Sequence, residues 1–279
     1  MFESIGRSFE LVKTSWNILM DDKKLLVFPV LSGIVSLFVI LTFALPLLVS
    51  GALVSSDSIL SIVLLFLFYV VSYFVVIFFN TALISCVNAK LNGKTMTVGE
   101  GLASSAKHLP AILGWAIVAA TVGLILHILE ERAGFIGDIV LAIVGGVWSL
   151  VTYFVVPVLI LEDKSVFGSV KESVSLIRKT WGESIVGGGS IFLVFFAVGF
   201  VALIGVLATL MLDNMIIFGI ALVLFLILVV ILAVVASAMQ GIFVTALYTY
   251  ARTGTVPSSF NNDLIRNAFV PKKAGSGNI

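Results

Sequence analysis

The chain of 279 residues is 60% apolar and only 11% charged, with a mean hydropathy of +1.22. Soluble domains carry about 25% charged residues, so this composition excludes a single water-soluble core and implies an integral membrane protein. The formal net charge is +1, and the lone cysteine, Cys86, excludes an internal disulfide and any cysteine-based zinc or iron–sulfur site.

Residues 2–20 are predicted to form an amphipathic helix. Ile5, Phe9, Val12 and Trp16 recur at spacings of four, three and four, which places them on one helical face with Lys13 beside the stripe. Asp21 to Lys24 mark the exit. The charged start of the chain gives no expectation of a cleaved secretory signal. Leu25 to about Val54 is the first span, longer than the roughly 20 residues a bilayer core needs. Pro29 and Pro46 are expected to bend or end it. After a turn at residues 55–58, Ile59 to Val87 crosses back.

A polar stretch from Ala89 to His108 holds a second possible surface helix. Val98, Leu102 and Leu109 keep part of the stripe, but Ser105 takes one apolar slot. Leu109–Leu129 is the third span, Glu130–Gly134 a tight turn, and Phe135–Leu161 the fourth span, with Pro157 near its end. The third amphipathic helix follows, where Val170, Val174, Ile177 and Trp181 repeat the first stripe 165 residues later, with Arg178 in the place of Lys13. Ile185–Leu212 is the fifth span, entered through Gly187, Gly188 and Gly189. Met215 to about Tyr250 is the sixth, about 50 Å long if helical throughout. The tail beyond Gly254 is polar and is expected to be partly disordered.

Charge fixes the expected orientation. Fifteen of the 16 Lys and Arg residues fall on one side of this six-span arrangement, and only Arg132 falls on the other. The positive-inside rule therefore predicts cytoplasmic termini. A second internal match joins Thr81-Ala82-Leu83, with Lys90 and Gly93, to Thr245-Ala246-Leu247, with Arg252 and Gly254. The expected fold is all-α: six transmembrane helices as three hairpins, each preceded by a cytoplasmic interfacial helix. The repeats are 1–92, 93–164 and 165–253, and 254–279 is a cytoplasmic tail.

Polar residues inside the spans are few. Asn80 and Thr81 on the second span, and Gln240 and Thr245 on the sixth, are the candidates for interhelical hydrogen bonding or for lining a substrate path. No Asp, Glu, Lys or Arg lies near the middle of a span, which argues against proton relays and voltage sensing. Ala116/Ala120 and Ala119/Gly123 read as helix-packing pairs. His127, Glu130, Glu131 and Asp138 cluster at the outer end of the third span, where helix capping explains them more economically than a metal. Asn92-Gly93-Lys94-Thr95 lacks the first glycine and the preceding strand of a phosphate loop, and reads as a turn. No catalytic residue, metal site or cofactor is expected. Trp16 and Trp181, with Lys13 and Arg178, are the expected anchors in the headgroup layer.

The segment Thr245–Ala251 with Gly254 and Pro257, and the tail from Asp263-Leu264-Ile265 to Pro271-Lys272-Lys273, resembles a group of six-helix prokaryotic inner-membrane proteins. That group includes the membrane domain joined to some glycerophosphodiester phosphodiesterases. The resemblance implies fold and inner-membrane location; the chain lacks a phosphodiesterase domain, so that activity does not carry over. The leading expectation is a non-catalytic membrane scaffold or accessory subunit. Its partners are membrane lipids, with another membrane protein or a second copy of the chain, and no nucleic acid. A carrier of a lipid or other apolar molecule is the alternative, and a membrane-surface enzyme a distant third.

Overall fold

The computed structural model describes residues 2–50, 59–130, 134–180, 186–212 and 214–254. Among these the chain is helical, without strands: α1 (Phe2–Asp21), α2 (Val27–Ser50), α3 (Ile59–Leu91), α4 (Val98–Lys107), α5 (Leu109–Glu130), α6 (Phe135–Val151), α7 (Val155–Leu161), α8 (Val166–Thr180), α9 (Val186–Ala208) and α10 (Met215–Thr253). Short 3₁₀ turns at Lys23–Leu26 and Thr209–Leu212 adjoin α2 and α9. The expected turn at 55–58, Glu131, Trp181 and the tail lie outside the described residues. Two compact units emerge, one formed by Met1–Pro29 with Thr180–Ile279, the other by Val30–Lys179.

In the first unit α1 packs along α9 and α10. Val12, Ser15, Ile18 and Leu19 are its buried residues among those described, followed by Leu25 within the 3₁₀ turn and Phe28 just beyond it. α10 is one continuous helix of 39 residues, about 58 Å at 1.5 Å per residue. Its buried residues all fall between Ala238 and Tyr248, while Met215 to Ile231 present exposed or half-buried apolar side chains. The residues ahead of Ala238 alone, Met215 to Ser237, make about 34 Å of helix, enough to cross a hydrocarbon layer of about 30 Å, so the packed portion is an extension of the span. Asn214 starts the helix by accepting from the amides of Ile216 (3.0 Å) and Ile217 (3.2 Å). Gly254 ends it at φ +69°, a left-handed position that favours glycine, with its amide donating to the Tyr250 carbonyl at 2.8 Å.

The second unit is organised around α3, which packs on α4, α5 and α7. α3 runs to Leu91, four residues past the expected end, and residues 81–87 are buried throughout. Its end is a glycine cap: Gly93 has φ +71°, its amide donates to Lys90, and the Lys94 amide reaches back to Ala89 at 2.9 Å. The Asn92-Gly93-Lys94-Thr95 turn is thus a helix stop. Where α3 meets α5, Ala116 and Ala120 are fully buried and Ala119 nearly so. A Cβ at Gly123 would stand 3.1 Å from the Tyr73 hydroxyl. Small residues let the backbones approach, which matters in lipid because helix association there relies on close packing. Ile77, Ile112, Trp115, Val155 and Leu159 fill the core beside this crossing, and Trp148 stacks on Trp115 at 5.9 Å.

Two sequence expectations change. Of the two effects expected of Pro46, to bend or to end the segment, ending does not occur, since helix α2 continues to Ser50. The fourth span is not one helix but two, α6 and α7, separated by Thr152–Phe154. Pro157 explains the break. It offers no N–H and its ring opposes the carbonyl four residues back, so it is accommodated in the first turn of a new helix.

Candidate functional site

The break in the fourth span frees backbone groups that a continuous helix would pair. The Val155 amide turns to the Thr152 carbonyl (3.0 Å) and the Tyr153 amide to Leu150 (3.2 Å), which displaces the carbonyl of Val151 and the amide of Phe154 from their helical partners. Ser173 on α8 serves both. Its hydroxyl donates to the Val151 carbonyl at 2.6 Å and accepts from the Phe154 amide at 3.1 Å, with no exposure to solvent. Irregular backbone at membrane depth is tolerated only where protein satisfies it. One serine does so here.

Helix α4 meets α3 in a similar manner. Ser105, which interrupts the apolar stripe, is buried and donates to the Phe78 carbonyl at 2.9 Å, while Ser104 and Ser85 share a hydrogen bond at 2.9 Å. Cys86 is buried beside them, its thiol 3.8 Å from the Thr97 carbonyl oxygen. Thr97 and Glu100 form a capping box. The Glu100 amide donates to the Thr97 hydroxyl oxygen (3.2 Å), and the Glu100 carboxylate accepts from the Thr97 amide (2.7 Å) and hydroxyl (2.8 Å). These bonds, the backbone one first, hold the Glu100 carboxyl below its ordinary value.

Where α4 turns into α5, His108 Nδ1 lies 2.7 Å from the Ser104 carbonyl and Nε2 lies 2.9 Å from an oxygen of Asp163. A neutral imidazole can donate to only one of these two acceptors. Asp163 itself has φ +50° in the loop between α7 and α8. Next to it the Lys164 ammonium donates to Glu172 at 2.7 Å and pairs with Glu162 at 2.9 Å, and both carboxylates, Glu172 first, raise its pKa.

The sequence candidates fall as follows. Thr81 and Thr245 are fully buried, and each donates to a carbonyl in its own helix, Ile77 and Gly241 respectively, both at 2.7 Å. Asn80 and Gln240 are half-buried on α3 and α10. Asn80 and Thr81 belong to one unit, and Gln240 and Thr245 to the other. Lys13 and Arg178 are exposed, and Trp16 is 42% exposed. His127 packs against Tyr69, with ring centres 6.3 Å apart. Among the described residues no group of three His, Cys, Asp or Glu side chains converges as a metal site would require. Ser105, Ser173 and the His108–Asp163 pair carry the most specific polar contacts, and periodicity had not singled them out as a site. Ser165 just ahead of α8, with Ser169 and Ser173 on one face of it, spaced by four behind a proline-containing span, were the available signal.

Among the described residues, six helical segments are long and apolar enough to cross a bilayer: Lys23–Phe43, Ile62–Leu91, Leu109–Glu130, Gly137–Leu161, Ile191–Leu212 and Met215–Thr253. The chain is a multi-pass helical membrane protein. It belongs to a family of unknown function (DUF6159), whose model matches residues 59–258, from the first residue of α3 to just past the Gly254 cap. No curated protein and no solved structure matches the chain.

Proposed function

We propose that the protein is a non-catalytic membrane scaffold or accessory subunit, built from three hairpins that each follow a surface helix, with both termini cytoplasmic. The observation that carries this reading is the use of the polar side chains inside the spans. Thr81 and Thr245 are turned onto carbonyls of their own helices in fully buried positions, where they serve packing and line no path. The repeat is supported by how the surface helices dock. α4 lies on α3, α8 bonds to the junction of α6 and α7, and α1 packs on α10. Each therefore rests on the span that precedes its own hairpin, with the first helix taking the last span. Positive-φ glycines, Gly93 and Gly254, cap the ends of the two helices that carry the matching Thr-Ala-Leu triplets. The likeness to the membrane domain joined to phosphodiesterases extends this reading as shared fold only.

The test is native mass spectrometry of the gently purified protein, paired with Asn80→Ala and Gln240→Ala. The expected result is a protein oligomer or hetero-complex with a variable lipid complement, and variants that lose thermal stability but retain the same bound species. One small molecule held at fixed stoichiometry and lost in both variants would overturn the scaffold reading in favour of a carrier.

A further inference from the structure

Helix α8 has two unlike faces. Ser169, Ser173, Leu176 and Ile177 are buried against protein. On the opposite side Phe167, Lys171, Val174 and Arg178 stand at spacings of four, three and four, which stacks them into one ridge. Phe167 is 78% exposed, Lys171 and Arg178 are exposed, and Val174 is half-buried. The ridge has no acidic residue. The nearest acid on the helix, Glu172, is directed to Lys164 at 2.7 Å, and Glu162 to the same ammonium at 2.9 Å. Two cations therefore follow the exposed aromatic ring along the ridge, without a counter-charge among the described residues.

We propose that this ridge is a contact for anionic phospholipid headgroups of the leaflet at which the fourth span ends. Three considerations select that occupant. Only residues 162–165 separate the end of α7 from α8, so Phe167 lies close to the level where the span leaves the hydrocarbon. A large apolar ring beside long basic side chains suits the boundary layer: the ring enters the acyl edge and the cations reach the phosphates. The unbalanced positive charge complements a negative leaflet surface. Of the apolar stripe read from the sequence, Val174 belongs to this ridge, whereas Ile177 is buried against protein. The inference holds whether the bundle is a scaffold or a carrier.

The test uses the full chain. In neutral detergent, phosphatidylglycerol is titrated and its retention compared with that of phosphatidylcholine. At about fivefold per basic residue near an anionic surface, Lys171→Gln with Arg178→Gln should weaken phosphatidylglycerol binding by about 25-fold and leave phosphatidylcholine unchanged. Lys171→Arg should bind as the wild type does, which separates loss of charge from misfolding. In nanodiscs, a polarity-sensitive dye on Phe167→Cys should report a headgroup environment. Unchanged phosphatidylglycerol affinity in the double variant overturns the proposal. So does water-like emission from the dye, the signature of a ridge reserved for a soluble acidic partner.

Discussion

Replacing Ser173 by alanine removes one hydroxyl and strands two backbone groups. The Val151 carbonyl and the Phe154 amide have exchanged their helical partners for Ser173, and the hydroxyl between them is fully buried. Leaving a buried donor or acceptor unsatisfied costs about 1–3 kcal/mol, so two of them give about 2–4 kcal/mol once local relaxation is allowed for. Ser105→Ala removes a donor from the Phe78 carbonyl, which lies within the continuous α3 and keeps its helical bond, so about 1 kcal/mol or less is expected. Ser15 supplies the third member of the series. Its hydroxyl is buried without a hydrogen-bond partner among the described residues, so Ser15→Ala should be neutral or slightly stabilising. The assay is reversible unfolding of the three variants in one detergent or bicelle mixture, read as free energy. Equal losses for Ser173→Ala and Ser15→Ala would refute the claim that the hydroxyl bridges the broken span. Ser173→Thr, which keeps the hydroxyl, should recover part of the loss.

Gly123→Val should destabilise by about 1–3 kcal/mol because the Tyr73 hydroxyl occupies the space, whereas Gly145→Ala meets nothing within 4 Å and should be tolerated in the same unfolding assay. Gly93→Ala should cost about 1 kcal/mol despite open surroundings, since φ +71° is disfavoured for a residue with a Cβ; a shorter α3 by amide exchange is the readout. Glu100 sets an acid limit. Its folded value lies below the ordinary 4.5, so its stabilising contribution is complete above that value and is lost as pH falls through the lowered one. Amide exchange across residues 97–107, corrected for intrinsic rates, should rise over that interval, and Glu100→Gln should abolish the rise while keeping the cap.

The spans were legible because long apolar runs leave few alternatives; Asn92-Gly93 was legible as a turn, but neither it nor Gly254 had been read as a helix cap. The end of α3 was set by its cap rather than by hydropathy, which is why the helix outran the apolar segment by four residues. The break at Thr152–Phe154 was not legible from Pro157 alone. A proline that close to an expected span end reads as a terminator, and whether it starts a new helix depends on whether a neighbour satisfies the freed groups. That neighbour, Ser173, lies 19 residues further along the chain than the amide it serves.

The surface helices show why an apolar stripe is an incomplete guide in this protein. Periodicity treats a serine in an apolar slot as a defect, so Ser105 weakened the middle stripe and Ser173 drew no notice. A helix that packs on the end of a span, however, meets carbonyl oxygens as well as carbon, and a short hydroxyl fits between backbones where leucine would hold them apart. Ser105 reaches such a carbonyl on α3, and Ser173 reaches one on the broken fourth span. The face that docks α8 on protein is consequently mixed, and the charge left on its far side is free for another contact. Hydrophobic pattern located these helices, and in α4 and α8 a serine on the inward face answers a carbonyl of the preceding span.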